Sequence, residues 1–164
     1  MFIKNKFLVA LTALTLLIAG TRQVRAQEGV ELVDARASHQ FGVQITFEAQ
    51  IKAPIPITEA VILFHEINEQ VTRVEKLVVD ANGNTRFEYN TSQNVFPPFS
   101  RIVFWYQVTL SDGNTYSSAQ IETLYDDNRF GWRATTQGPV TVHWYDGDDA
   151  FAQHCLRLVE IRLD

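Results

Sequence analysis

The segment His65-Glu66-Ile67-Asn68-Glu69 comes nearest to a reaction centre in residue type and spacing. A zinc peptidase helix carries two histidines one turn apart to grip the metal, with a glutamate beside the first as general base. Here Glu69 stands where the second imidazole belongs, and the apolar run over 60–64 makes the segment the end of a strand. His65 therefore reads as a strand-end polar residue. The cluster Asp146-Gly147-Asp148-Asp149 offers carboxylates of the kind that hold calcium, but an EF-hand loop alternates its acids and places a glycine sixth. It reads instead as a turn whose acids cap a helix. His143 and His154 flank that turn, one on a strand and one on a helix, and read as non-ligands.

Nucleophilic and phosphate chemistry find no support. There is no Gly-x-Ser-x-Gly elbow, phosphate-cradling loop or dinucleotide fingerprint. Ser117 and Ser118 fall on a strand, and Asn90-Thr91-Ser92 matches a glycosylation acceptor only by chance. No catalytic, cofactor-binding or metal-ligating residue is assigned, and the chain reads as non-enzymatic. What remains is aromatic: Trp105, Tyr116, Trp132, Trp144 and Tyr145 either line a ligand face or fill a core, the commoner use of rings that bury so much area. From these and their neighbours, Phe130, Trp132, Trp144, Tyr145 and Phe151 are singled out as an interdomain or binding surface.

The ends of the chain set the setting for such a surface. Residues 1–26 have the parts of a secretory signal: Lys4 and Lys6, an apolar run over 7–20, and the small-residue step Val24-Arg25-Ala26, with cleavage expected after Ala26. The apolar run is shorter than the roughly 20 residues of a permanent span. Export to an extracytoplasmic location is expected, with membrane attachment only if the signal stays. Loss of Lys4, Lys6, Arg22 and Arg25 leaves ten of the 14 basic residues against 19 acidic ones, a formal charge of −9. Nucleic acid and anionic membranes are poor partners for that charge. Cys155 is the single cysteine, so no internal disulfide is available; it falls at helical spacing among Phe151, Leu158 and Val159 and reads as packing.

The elements that must position these residues are mostly strands. Period two runs over 30–125 and is cleanest in Phe41, Val43, Ile45, Phe47, Ala49 and Ile51. Pro54 and Pro56 end that strand. The dense apolar run over 60–64 predicts a strand covered on both faces, and 71–80 an edge strand. Asn82-Gly83 predicts a tight hairpin into Thr85, Phe87 and Tyr89. Ile102, Phe104, Tyr106, Val108 and Leu110 make a second strong inward face, with Val103 and Trp105 on its reverse, and Asp112-Gly113 turns it into a strand over 115–125. Turns at this spacing without helical period predict an immunoglobulin or fibronectin III-like antiparallel sandwich over 27–126. Beyond it, Asp126 to Arg129 form a polar joint, Gln137-Gly138-Pro139 a turn, and Val140, Val142 and Trp144 a short strand. Asp148 then caps an amphipathic helix whose apolar face is Phe151, Cys155, Leu158 and Val159.

The run Asp127-Asn128-Arg129-Phe130-Gly131-Trp132, followed by Val140-Thr141-Val142-His143-Trp144-Tyr145-Asp146-Gly147-Asp148 and Phe151, resembles bacterial exported peptidase MA-like metallopeptidases of the gluzincin type. The resemblance implies a signal peptide, a fibronectin-like sandwich, an Asp-x-Arg-Phe-x-Trp joint and then a zinc peptidase domain. It also implies that residues 127–164 are the joint and the truncated start of that domain. The family's His-Glu-x-x-His helix has no match here, so no catalytic residue carries over and zinc belongs to the resembled full-length proteins alone. Two readings follow. One is a non-catalytic interaction or positioning module whose partner is a protein surface or the missing peptidase domain. The other is an independent secreted ligand-binding sandwich, for protein or carbohydrate. Burial of Trp132 and Trp144 against the helix would favour a joint, and a shared open aromatic face would favour ligand binding.

Overall fold

Two antiparallel sheets face one another in the computed structural model, which describes residues 29–163; the expected signal segment lies outside them. The first sheet takes β1 (Glu31–Gln40), β2 (Gln44–Lys52) and β5 (Asn84–Asn90) in the order β1-β2-β5. The second takes β3 (Ile57–Glu66), β4 (Arg73–Lys76), β6 (Ser100–Leu110), β7 (Thr115–Ser117) and β8 (Ile121–Tyr125), in the order β4-β3-β6-β7, with β8 also on β6. This is the sandwich predicted from the alternation. Alternate side chains of each sheet point inward because successive Cβ atoms lie on opposite faces of a strand. Phe47 of β2 therefore meets Phe64 of β3 and Phe104 of β6 across the gap, each with ring centroids 5.1 Å apart. Each such fully buried ring contributes on the order of 1.5–3 kcal/mol through the surface it removes from water.

Several local expectations need correction. Phe41 and Val43 do not extend β2: residues 41–43 form the turn from β1, with Gly42 at φ 71°, and Val43 is exposed. The run over 60–64 is not covered on both faces. Ala60, Ile62 and Phe64 are buried, whereas Val61 and Leu63 are half-buried on the outer face, where Leu63 sits opposite Trp105. The strand over 115–125 is two pieces. Ser118 breaks it by accepting a hydrogen bond at Oγ from the Tyr106 backbone N–H (3.0 Å) while donating to the Ala119 carbonyl (2.9 Å). The expected edge strand is β4, and the Asn82-Gly83 and Asp112-Gly113 turns form where predicted. In the first, Asp80 Oδ1 accepts from the backbone N–H groups of Asn82 and Asn84, each at 2.8 Å.

Past the sandwich the chain forms a hairpin and a helix: β9 (Arg133–Gln137), β10 (Val140–Trp144) and α1 (Asp149–Leu163). Gly138, with φ 57° at the first central position of the two-residue turn, matches the backbone a tight hairpin needs. Asp148 caps α1 through Oδ1, which accepts from the Phe151 N–H at 3.1 Å. The helix face is not the one predicted. Ala152 and Leu156 are buried, Cys155 and Val159 half-buried, and Phe151 and Leu158 are each 52% exposed.

Candidate functional site

The polar joint is bound tightly back onto the sandwich. Asp127 is buried, and Arg129 donates to both of its carboxylate oxygens, Nε to Oδ1 and Nη2 to Oδ2, each at 2.7 Å. That pairing holds the Asp127 carboxyl below its ordinary range. Asn128 bridges to the β1–β2 turn: its Oδ1 accepts from the Phe41 N–H (3.2 Å) and its Nδ2 donates to the His39 carbonyl (2.8 Å). His39 Nε2 lies 2.9 Å from the Asp126 carbonyl and 3.0 Å from Asp126 Oδ1, so this nitrogen faces two acceptors and carries the proton. The Arg129 guanidinium spans the Phe41 and Phe130 rings at 5.0 and 5.5 Å.

On this mount sits an aromatic cap. Trp132 Nε1 donates to the Asp127 carbonyl (2.8 Å), which fixes the indole. Tyr145 meets the Trp132 ring edge-on at 4.8 Å and stacks on Phe130 at 4.3 Å and 18°. Phe99, from the loop before β6, supports the cap from below, edge-on to Trp132 at 5.2 Å and stacked on His143. Phe130 is 45% exposed and Tyr145 51%. Asp146 follows Tyr145 directly and Asp148 comes after Gly147, both exposed.

The five singled-out residues thus divide. Phe130, Trp132 and Tyr145 come together as one surface. Phe151 is exposed at the start of α1, next to Gly147. Trp144 is buried instead, under the Arg133 guanidinium at 5.1 Å, and its indole N–H has no partner among the described residues. Arg133 also donates to the Gly147 carbonyl and to Asp149 Oδ1 (3.2 Å), tying β9 to the helix start. Trp105 lies elsewhere, on the outer face of the second sheet, edge-on to His65 at 5.9 Å. His65 Nδ1 lies 2.8 Å from the Glu66 carbonyl at the end of β3, the strand-end position expected of it. Among the described residues no three His, Cys, Asp or Glu side chains converge as a metal site would require, and no helix is long and apolar enough to cross a membrane.

The sequence reading missed Phe99 and Arg133. Phe99 sits at φ 66°, a conformation rare for a residue with a bulky side chain. Pro97-Pro98 before it was the visible signal of an unusual loop.

No protein-family profile matches the chain, and no curated protein matches it. Similar solved structures include a bromine derivative of BhCBM56, at 10% identity over 55% of this chain and 88% of that one, TM-score 0.41. A carbohydrate-binding module family 56 β-1,3-glucan binding domain is 11% identical over 57% of this chain and 98% of that one, TM-score 0.39. A cycloalternan-degrading enzyme from Trueperella pyogenes, solved with cycloalternan, is 10% identical over 51% of this chain and 14% of that one, TM-score 0.40. Likeness at this level assigns no function.

Proposed function

We propose that this chain is a non-catalytic, exported binding module, in which the sandwich holds the aromatic cap rigid and the cap takes a neutral carbohydrate. The observation that carries the reading is the half-exposed Phe130–Tyr145 stack, locked from beneath by Trp132. A sugar ring has an apolar C–H face edged by hydroxyls. An aromatic plane meets the former, and the Tyr145 hydroxyl with the adjoining Asp146 carboxylate meets the latter. The acidic balance of the chain turns away polyanionic glycans. Affinity electrophoresis through gels containing neutral polysaccharides, a β-1,3-glucan among them, tests it. Retardation by at least one polysaccharide is expected, with Tyr145→Ala weakening binding at least tenfold, about 1.4 kcal/mol. Unretarded protein across the panel, or retardation unchanged by Tyr145→Ala, overturns it.

A second reading rests on the joint. Asp127, Arg129 and Trp132 are interlocked and Trp144 is buried beside the helix, which supports a positioning module for a following peptidase-type domain. Exposed Phe151 and Leu158 would then face that domain. Sequencing the coding DNA beyond codon 164 in all frames tests this: a His-Glu-x-x-His segment is expected, and its absence removes the peptidase partner.

A further inference from the structure

One edge of the sandwich is open to pairing. β1 is interrupted where its register slips between Val33 and Arg36, β7 and β8 are parted at Ser118, and β5 meets Val79 at Thr85. β4 has no such guard: it pairs with β3 on one side and with no strand on the other among the described residues. A strand edge with free N–H and C=O groups is a template for another strand. Exposed valines line it, Val71 at 70% and Val74 at 56%. Val74 also ends an apolar row on the outer face of the sheet, which runs through Leu63, its neighbour on β3, to Trp105 on β6.

Backbone direction limits how a strand can be added there. The Leu77 N–H donates to the Ala60 carbonyl of β3 at 2.9 Å, and in an antiparallel ladder alternate residues turn their bonds to opposite sides. Arg73, Glu75 and Leu77 therefore face β3, whereas Val74 and Lys76 offer their N–H and C=O groups to the open edge. A second copy entering antiparallel about a two-fold axis must set open-edge residues against open-edge residues. One residue of β4 then lies on the axis, opposite its own counterpart. Registers centred on Arg73, Glu75 or Lys76 oppose like charges at the axis. The register centred on Val74 opposes two valines there and sets each Arg73 against Glu75 of the other copy. Glu75 makes no side-chain hydrogen bond or ion pair among the described residues. Arg73 already holds Glu69, and a paired arginine of this fold takes a second carboxylate, as Arg86 does with Glu48 and Glu88.

We propose that β4 is a self-association edge, at which a second copy of this chain joins antiparallel through Val74 and the two sheets become one. Val74 exchanges both backbone bonds with its counterpart, and the Trp105, Leu63 and Val74 row continues across the axis into the second copy. The surface is separate from the aromatic cap and does not depend on it. Sedimentation velocity from about 1 μM to about 1 mM is expected to show a reversible monomer–dimer equilibrium, weakened by added salt. Glu75→Lys sets a lysine against each Arg73 and is expected to weaken the dimer by about tenfold or more. Val74→Pro removes an N–H that bonds to no strand in the single chain, a place where an edge strand tolerates proline, and is expected to abolish the dimer. In a mixture of isotope-labelled and unlabelled protein, an intermolecular NOE should join the Hα protons of Arg73 and Glu75, which a non-hydrogen-bonded pair brings close. A monomer throughout the range, association that either variant leaves unchanged, or intermolecular NOEs confined to the aromatic cap or α1 overturns the proposal.

Discussion

Phe99 and His143 stack face to face, ring centroids 3.7 Å apart and planes 16° from parallel, and through this pair the last loop before β6 holds the C-terminal hairpin to the sandwich. Phe99 reaches this position in the left-handed region at φ 66°, a conformation whose strain the stack and the Trp132 contact offset. Phe99→Ala should loosen the C-terminal unit by about 1–2 kcal/mol, since the lost ring is only half-buried. Hydrogen exchange should show amides of β10 and α1 exchanging faster while those of β2 and β6 keep their protection. Equal loss of protection in both would mean that hairpin and sandwich unfold as one unit.

Gly83 and Gly113 have nearly the same backbone angle, φ 82° and 83°, in different surroundings. A Cβ on Gly83 would meet the Ile51 carbonyl oxygen at 2.2 Å, whereas one on Gly113 meets nothing within 4 Å. Gly83→Ala is expected to cost about 3 kcal/mol and Gly113→Ala about 1 kcal/mol, the latter from the angle alone. Urea denaturation of the two variants side by side measures the difference, and similar midpoints would refute it.

Tyr125 ties three parts of the fold through one hydroxyl, which accepts from the Gly42 N–H (2.8 Å) and donates to Thr91 Oγ1 (3.0 Å) with Thr91 fully buried. Tyr125→Phe strands both partners and should destabilise the protein by about 1–3 kcal/mol. Thermal or chemical unfolding checks this.

Acid should act on Asp127 and Glu48. Hydrogen bonds from Arg129 lower the first carboxyl's pKa, and those from Arg86 and then Arg36 lower the second. A carboxyl held lower in the folded than in the unfolded chain contributes stability above its unfolded value, about pH 4. That contribution is lost as pH falls from there through the folded value. Asp127→Asn should flatten part of the decline in stability below pH 4, and adding Glu48→Gln should flatten more of it. Unfolding midpoints from pH 7 down to pH 2.5 provide the measurement.

Legibility in the sequence followed how strongly one face of an element outweighs the other. Ile45 to Ile51 and Ile102 to Leu110 were legible because a half-buried strand alternates. The same alternation misled at Phe41 and Val43, where apolar residues in a turn keep the period by accident. β1 was not singled out because the bulge at Asp34 interrupts its alternation, and β9 because Arg133-Ala134-Thr135-Thr136-Gln137 has almost no apolar side. On α1 the large Phe151 and Leu158 drew the predicted face toward themselves, while the small Ala152 is what fits against the hairpin. The cap members Phe130, Trp132 and Tyr145 stood out by type. Phe99, far upstream of them on the other side of β6, β7 and β8, could be found only once the fold had brought it there.

The lacing of Asp126 and Asn128 to His39 spans sequence separations of 87 and 89 residues, which has a consequence for the order of assembly. These bonds cannot form until the first hairpin and the last strand of the sandwich lie side by side, and contacts so distant along the chain are slow to close. Synthesis delivers the β9–β10 hairpin and α1 after the sandwich. Their docking onto the joint therefore follows closure of the sandwich, and order in this hairpin and helix reports that the sandwich beneath them has found its place.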